Sequence, residues 1–280
     1  MKLVSFLVGD LPSWGLQVGD QVIDLGRRYG AQYPDLRSAI GSPLLHDPTL
    51  SDLPADHLLA DLRLLPPIPE PGKILCVGLN YKAHAAEGGF PIPVFPQVFT
   101  RFADTLVGSG APMIKPAMSD DFDFEGELAI VIGRGGRHIP ASSALDHVFG
   151  YTCFNDGSVR DVQFKHFLIA GKNFPSTGPL GPCIVTTDEI PDPSRLHLST
   201  SINGVVVQSK GIDDMICDVA GIIAYISSWT ELRPGDVIAT GTPEGVGFAR
   251  KPPLWLRPGD LVEVEISKIG RLSNPVQAGA

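Results

Sequence analysis

The stretch from Asp121 to Ile132 alternates between two sets of side chains with a period of two, which predicts a β-strand. One face carries Phe122, Phe124, Gly126, Leu128, Ile130 and Ile132, and the other carries Asp121, Asp123, Glu125 and Glu127, followed by Ala129 and Val131. Side chains two apart on a strand point the same way, so Glu125 and Glu127 are predicted to lie side by side. Either this face is simply solvated, or the pair ligates a hard divalent cation, which prefers oxygen ligands. Ala129 and Val131 favour the cation, because they carry that face towards the interior, where unpaired charge is costly.

Period-two alternation also predicts short strands in most of the chain. The predicted strands cover residues 3–8, a hairpin at 16–25 that turns at Gly19-Asp20, 73–78, 148–154, a hairpin at 196–208 that turns at Asn203-Gly204, 237–240 and 261–266. Helical spacing is confined to short segments near 34–41, 80–88, 141–146 and 160–164, and to a longer one at 218–229. The pattern therefore predicts a mostly β protein with short helices.

A change in composition predicts a domain boundary near residue 70. The segment from 42 to 72 is rich in Pro, Asp and Leu, and it ends in Pro66-Pro67-Ile68-Pro69-Glu70-Pro71-Gly72. We therefore expect a small N-terminal β domain with its linker at residues 1–70 and a larger domain at residues 71–280.

Composition and charge narrow the classes of function. Apolar residues make up 43% of the 280 and charged residues 19%, which is enough for a substantial core. The net charge of -9, without a basic cluster, argues against nucleic acid and anionic membrane as partners. The four cysteines lack metal-type spacing, and no apolar run approaches transmembrane length. The initial apolar run is too short for a signal peptide, so reduced cysteines and a cytoplasmic location are predicted.

Four further polar groups are candidates for chemistry, and each also has an ordinary structural interpretation. His84 and Glu87 are three apart on a short helix with Asn80 as its predicted N-cap and Gly88 as its end; they form either a surface pair or a functional pair on a mobile lid. Asp156 ends a strand and could equally cap the next helix. Lys172 is predicted to lie in a loop, where a lysine is usually solvated. Arg101 shares a strand face with Phe99, where a solvated or ion-paired side chain is common.

These features together, in this order, resemble the fumarylacetoacetate hydrolase superfamily. The motifs are Phe124-Glu125-Gly126-Glu127-Leu128, Phe154-Asn155-Asp156, Arg160-Asp161-Val162-Gln163, Gly171-Lys172 and Thr240-Gly241-Thr242-Pro243-Glu244-Gly245-Val246-Gly247. The set is highly specific, covers about residues 72–276, and looks most like bacterial members and acylpyruvate hydrolases. The resemblance implies a β-rich fold of rolled, mixed sheets, a homodimer and a bound Mg²⁺ or Mn²⁺.

The resemblance also implies roles for individual residues. Glu125, Glu127 and Asp156 match the metal ligands, which agrees with the strand argument. His84 and Glu87 match a His-x-x-Glu lid dyad, and Lys172 matches a lysine beside the metal. Gln163 and Thr242 match substrate contacts. Arg101 stands where acylpyruvate hydrolases often carry lysine, so we expect it to contact a distal group of the substrate and to alter substrate choice.

Three functions are compatible with this set of residues. The first is metal-dependent hydrolysis of the C–C bond of an acylpyruvate-type 2,4-dioxo acid, in which His84 and Glu87 activate water and pyruvate leaves as an enolate. The second keeps the site but isomerises, tautomerises or decarboxylates an unsaturated or dicarboxylic 2-oxo acid, which needs only the enolate. The third is a ligand-binding protein without turnover, and the completeness of the residue set speaks against it.

Overall fold

The computed structural model describes residues 1–279, and most of its regular structure is β. The strands are β1 (Lys2–Val8), β2 (Leu11–Val18), β3 (Gln21–Asp24), β4 (His57–Leu58), β5 (Arg63–Leu64), β6 (Ile74–Gly78), β7 (Gln97–Arg101), β8 (Leu106–Val107), β9 (Met113–Lys115), β10 (Phe122–Asp123), β11 (Gly126–Ile132), β12 (Val148–Asn155), β13 (Ser158–Val159), β14 (Gly178–Thr186), β15 (His197–Ile202), β16 (Val205–Gly211), β17 (Val237–Ala239), β18 (Leu261–Ile266) and β19 (Gly270–Ala278). The helices are α1 (Leu25–Tyr29), α2 (Leu36–Ala39), α3 (Lys82–Glu87), α4 (Arg160–Lys165), α5 (Leu168–Lys172) and α6 (Val219–Trp229). The predicted mostly β architecture is confirmed.

Two mixed sheets organise the chain. The larger has twelve strands in the order β4-β3-β2-β1-β14-β12-β11-β17-β6-β7, with β5 and β8 attached to β1 and β14. The second has five strands in the order β16-β15-β18-β19-β9, and β10 pairs separately with β13. Among residues 1–279, no helix is long and apolar enough to cross a membrane.

Strand β11 lies at the centre of the protein and is buried on both faces. Leu128 and Ile130 pack in one apolar cluster with residues of the second sheet and of α6, including Val264. Ala129 and Val131 pack in another cluster with the N-terminal strands. The prediction that the Glu-bearing face turns into the interior is therefore confirmed, and any charge near the start of β11 must be compensated locally.

The N-terminal segment continues the large sheet. Lys2 and Leu3 of β1 pair antiparallel with Val185 and Ile184 of β14, which also pairs with β12. Trp14 is buried in the same apolar cluster as Ala129 and Val131 of β11. The boundary at residue 70 stays a prediction, since hydrogen bonds join the strands on both sides of it.

The predicted strand at 121–132 is interrupted at Phe124 and Glu125. The segment changes partner, because β10 pairs with β13 whereas β11 pairs with β12 and β17. The side chain of Asp123 accepts the backbone N–H of Gly247 at 2.7 Å, and the side chain of Asn155 accepts that of Glu125 at 2.9 Å. These bonds replace ladder pairing at the break, and Glu125 precedes β11 instead of belonging to it.

Candidate active site

The carboxylates of Glu125, Glu127 and Asp156 converge at one end of β11 and β12. Gly126 pairs with Asn155 across the two strands, so the residues next to this pair are neighbours. The backbone N–H of Asp156 donates to the carbonyl of Glu125 at 2.8 Å. All three side chains are buried, and one oxygen from each lies within 4.8 Å of the others. The structure thus brings together the three predicted metal ligands.

Buried cations compensate most of this negative charge. Lys172 Nζ lies 2.7 Å from Glu125 Oε2 and 2.7 Å from Asp156 Oδ2. Arg160 Nε donates to Asp123 at 2.8 Å, and its Nη2 donates to the second oxygen of Glu125 at 2.5 Å. Burial by itself raises the pKa of Glu125, but the charges of Lys172 and Arg160 outweigh it and lower that pKa to about 2.

Of the three carboxylates, Glu127 has the least compensated negative charge. Its Oε2 accepts the backbone N–H of Gly241 at 2.8 Å, and within residues 1–279 no Lys, Arg or His forms an ion pair with it. Burial, followed by the charges of Asp156 and Glu125, raises the pKa of Glu127 well above its ordinary value. A buried carboxylate that repels two neighbouring carboxylates is the environment that an oxygen-seeking divalent cation relieves. The donor set therefore fits such a cation.

His84 and Glu87 form a hydrogen-bonded pair on α3. His84 Nδ1 lies 2.8 Å from Glu87 Oε1, and Glu87 Oε2 accepts the backbone N–H of Gly245 at 2.8 Å. An ionised carboxylate only accepts, so Nδ1 donates and Nε2 is left with the lone pair. The predicted N-cap is wrong: Tyr81 caps α3, and the side chain of Asn80 instead bonds the backbone of Cys217 and Thr240.

Gln163 and Thr242 are held by hydrogen bonds near the three carboxylates of Glu125, Glu127 and Asp156. Gln163 Oε1 accepts from Arg160 Nη1 at 2.9 Å. Thr242 Oγ1 donates to the carbonyl of Gly126 at 2.9 Å and accepts from the side chain of Gln208 at 2.8 Å. Both side chains line the same cavity as the carboxylates, which leaves them in position to meet a small ligand.

Arg101 lies behind the site and not in the cavity wall. Its guanidinium is buried, and it donates to Asp156 Oδ1 at 2.5 Å, to Thr177 Oγ1 at 2.7 Å and to the carbonyl of Gly157 at 3.0 Å. The predicted contact with a distal substrate group is therefore corrected, because the Arg101 side chain is fully buried and does not line the cavity. Arg101 orients a carboxylate instead.

Lys172 also differs from its prediction. It is the last residue of α5 and is 2% exposed, whereas a loop position was expected. Its ammonium lies 5.4 Å from the centroid of the Phe99 ring. The helix is too short to show a periodic apolar pattern, and Gly171 and Asn173, on either side of Lys172, are typical of loops.

Two buried charges were missed as site residues, namely Arg160 and Asp123. Arg160 links Asp123, Glu125 and Gln163, and its guanidinium carbon stacks 4.6 Å from the centroid of Phe248. Asp123 shares its alternation face with both glutamates, which was the available signal. For Arg160 the signal was its place in the Arg160-Asp161-Val162-Gln163 motif.

One cavity of about 330 Å³ unites these groups. Its polar lining includes His84, Glu125, Glu127, Asp156, Arg160, Gln163, Lys172 and Thr242, and its apolar lining includes Leu79, Phe90, Phe99, Phe164, Leu168 and Phe248. The volume suits a ligand of modest size. The arrangement combines a carboxylate-lined cation site with a histidine whose free nitrogen can accept a proton.

Comparison with known proteins shows the family of the chain. The family model for the C-terminal domain of fumarylacetoacetate hydrolase matches residues 73–277. The chain belongs to the fumarylacetoacetate hydrolase family. Members of this family include enzymes named as hydrolases, isomerases and tautomerases.

Relatives and solved structures cover the whole chain. A mitochondrial oxaloacetate tautomerase of Xenopus laevis is 40% identical over 99% of this chain and 90% of its own length, and human oxaloacetate tautomerase FAHD2A is 39% identical over 99% and 91%. The structure of fumarylacetoacetate hydrolase from Exiguobacterium antarcticum is similar at a TM-score of 0.87 and 36% identity, over 100% of both chains. Maleylpyruvate hydrolase from Sphingobium sp. SYK-6, in complex with manganese and pyruvate, is similar at 0.84 and 31%, also over 100% of both.

Proposed function

We propose that the protein is a divalent-metal-dependent tautomerase that interconverts the keto and enol forms of a 2-oxo acid. The observation that carries this proposal is the His84–Glu87 pair lining the same cavity as the buried group of Glu125, Glu127 and Asp156. Two relatives of about 40% identity that match nearly the whole chain are named oxaloacetate tautomerases, which supports the same chemistry.

The carboxylate group is proposed to hold Mg²⁺ or Mn²⁺. Glu125, Glu127 and Asp156 would be its protein ligands, and the complex of maleylpyruvate hydrolase with manganese and pyruvate supports a site of this kind. When bound, the cation supplies Lewis-acid stabilisation of negative charge on the 2-oxo acid. Arg101 and Lys172 fix the orientation of Asp156, and Arg160 and Lys172 fix that of Glu125.

The pair on α3 is proposed to move the proton. As the keto form enolises, His84 Nε2 accepts a proton from C3 and the 2-oxygen takes a proton from solvent; in the reverse direction the enol O–H returns its proton to solvent and His84 delivers a proton to C3. Glu87 keeps Nδ1 protonated and stabilises the imidazolium while the proton is held. The bond from Gly245 N–H to Glu87 fixes this carboxylate. The Lys172 ammonium places positive charge near the oxygen that becomes negative.

Hydrolysis of an acylpyruvate-type 2,4-dioxo acid is the second candidate. It would use the same cation site, with His84 taking a proton from water instead of from carbon. The structural relative in complex with pyruvate, a hydrolase by name, favours it. Hydrolysis requires a second carbonyl on the substrate, whereas tautomerisation requires only an enolisable C3.

We also propose that the small-molecule partner is a 2-oxo acid, that the protein is a homodimer and that it is located in the cytoplasm. The dimer is supported by exposed apolar side chains in the loop after α3, where Ile92 is 55%, Val94 88% and Phe95 66% exposed. Light scattering at micromolar concentration should give twice the mass of the chain, and a monomer mass would contradict this part.

A panel of 2-oxo acids tests the reaction. With Mg²⁺ present, we expect the purified protein to accelerate the ultraviolet absorbance change of enol–keto conversion without a change in substrate mass. Products of cleavage, detected by mass spectrometry from acylpyruvates together with no acceleration of tautomerisation, would contradict the proposal and support the hydrolase.

A further inference from the structure

One part of the cavity wall is formed by aromatic rings that the proposed reaction does not use. We call Phe90, Phe164 and Phe248 the aromatic wall; they come from three separate segments and all line the cavity. The rings of Phe164 and Phe248 meet edge to face, with their centroids 5.4 Å apart. Phe90 and Phe248 converge on Gly88, where an added Cβ would lie 2.6 Å and 3.4 Å from their rings. The wall therefore begins where α3 ends.

The cations that line the cavity are already engaged. Lys172 is bound to Glu125 and Asp156, and Arg160 is bound to Asp123 and Glu125. No other lysine or arginine lines the cavity within residues 1–279. Phe248 covers one face of the Arg160 guanidinium, so this group meets other partners only through the N–H groups in its plane, three of which already donate to Asp123, Gln163 and Glu125. A carboxylate placed against the aromatic wall would thus compete with Asp123, Glu125 and Asp156 for these two cations.

A count of charges leads to the same result. The buried carboxylates of the site are Asp123, Glu125, Glu127 and Asp156, and the buried cations are Arg101, Arg160 and Lys172. The difference is a single negative charge. A divalent cation turns this into a single positive charge, which matches the one carboxylate that every 2-oxo acid carries. A second carboxylate would be in excess and would lose hydration on entering.

We infer that the substrate carries an apolar, aromatic group on C3, as in an arylpyruvate, and that the aromatic wall selects it over a second carboxylate. This inference rests on the proposed function, because it places the 2-oxo acid end at the carboxylates. Edge-to-face contact with Phe164 and Phe248 is the interaction a phenyl ring gains there. Phenylpyruvate and oxaloacetate test the choice directly, since they differ only in the phenyl group or carboxylate on C3.

Binding provides a test that needs no turnover. N-phenyloxamate and N-oxalylglycine share the oxamate group and cannot enolise, and they differ in carrying a phenyl or a carboxymethyl group. By calorimetry with Mg²⁺, we expect N-phenyloxamate to bind about tenfold more tightly. In the kinetic assay, we expect kcat/KM for phenylpyruvate to exceed that for oxaloacetate by a similar factor.

Variants of the aromatic wall locate the preference. Phe164 is 53% exposed, so its replacement should leave the fold intact. Phe164→Ala should weaken N-phenyloxamate about fivefold and leave N-oxalylglycine unchanged. Phe164→Arg should tighten N-oxalylglycine, because it supplies the missing cation. Phe167→Ala is the matched control, since Phe167 is 60% exposed and does not line the cavity.

The outcomes separate this inference from the proposed reaction. Tighter binding of N-oxalylglycine, or equal binding that Phe164→Ala does not change, would overturn the aromatic preference. Tautomerisation of oxaloacetate but not of phenylpyruvate would also overturn it while the proposed function stands. A tenfold preference for N-phenyloxamate in a protein that enolises neither acid would support the aromatic wall and refute the tautomerase.

Discussion

The cluster of three carboxylates and the helix α3 face one cavity but are held in place by different interactions. Glu125, Glu127, Asp156 and Lys172 are each at most 6% exposed, and they are fixed by paired strands and by charge-assisted hydrogen bonds. Helix α3 has six residues, no side-chain N-cap bond and an end at Gly88. The comparison indicates that cation binding is preorganised by buried ion pairs, whereas proton transfer depends on a short helix whose Glu87 is held by the bond from Gly245.

The largest effect is expected in the preorganised region. Glu127→Gln retains an acceptor for Gly241 but removes a ligand charge, so Mn²⁺ affinity should fall by more than about 100-fold and activity should be lost. In chelator, the variant should melt at a higher temperature than wild type at neutral pH, because it removes a buried carboxylate whose raised pKa makes ionisation costly. Calorimetry and thermal melts check both.

The control for this variant is Glu231→Gln. The Glu231 side chain is 57% exposed and pairs with Arg233 at the surface. It should change neither Mn²⁺ affinity nor the melting temperature. Stoichiometric Mn²⁺ binding by Glu127→Gln with wild-type affinity would remove Glu127 from the cation site.

A smaller effect is expected behind the carboxylates. Arg101→Lys keeps the charge but loses the fork that bonds Asp156, Thr177 and Gly157 together, so Mn²⁺ affinity should fall by about 10- to 100-fold. Because Arg101 does not line the cavity, the preference among 2-oxo acids at saturating metal should not change. A changed substrate preference with unchanged Mn²⁺ affinity would restore Arg101 as a substrate contact.

The smallest effect is expected on α3. Glu87→Gln has one acceptor oxygen in place of two, so it can keep the bond from Gly245 or the bond from His84 but not both, and it cannot stabilise the imidazolium by charge. The turnover rate should fall by about tenfold, with Mn²⁺ affinity unchanged, as measured by steady-state kinetics and calorimetry. A loss of Mn²⁺ affinity as large as the loss of turnover would show that α3 and the three carboxylates are energetically coupled and do not act independently.

The sequence allowed the carboxylates to be predicted better than their surroundings. Alternation was enough to place Glu125 and Glu127 side by side, because period-two patterning acts over short distances, whereas the ligand role of Asp156 came from the family resemblance. The break at Glu125 and the place of Arg101 behind Asp156 were not predictable in this way. Both depend on contacts between segments far apart in the chain, such as Asp123 with Gly247 and Arg101 with Thr177.

Short helices account for the other differences. The helix α5, which carries Lys172, has five residues and is too short to show a periodic apolar pattern. Lys172 is buried there because it forms ion pairs with Glu125 and Asp156. The start of α3 was predicted one residue early, because Asn80 is a residue type typical of N-caps but its side chain donates to the backbone carbonyls of Cys217 and Thr240. Family resemblance supplied the roles of these residues where patterning did not.

The most direct test of the tautomerase is the exchange of the C3 protons of pyruvate in deuterium oxide, followed by proton NMR with Mg²⁺ present. Wild-type protein should catalyse the exchange, and His84→Ala should reduce its rate by roughly 10²–10⁴-fold while binding Mn²⁺ as wild type does. His197→Ala, which alters an exposed histidine on β15, should exchange at the wild-type rate. Exchange by His84→Ala as fast as by wild type would show that His84 moves no proton at C3 and would contradict the account.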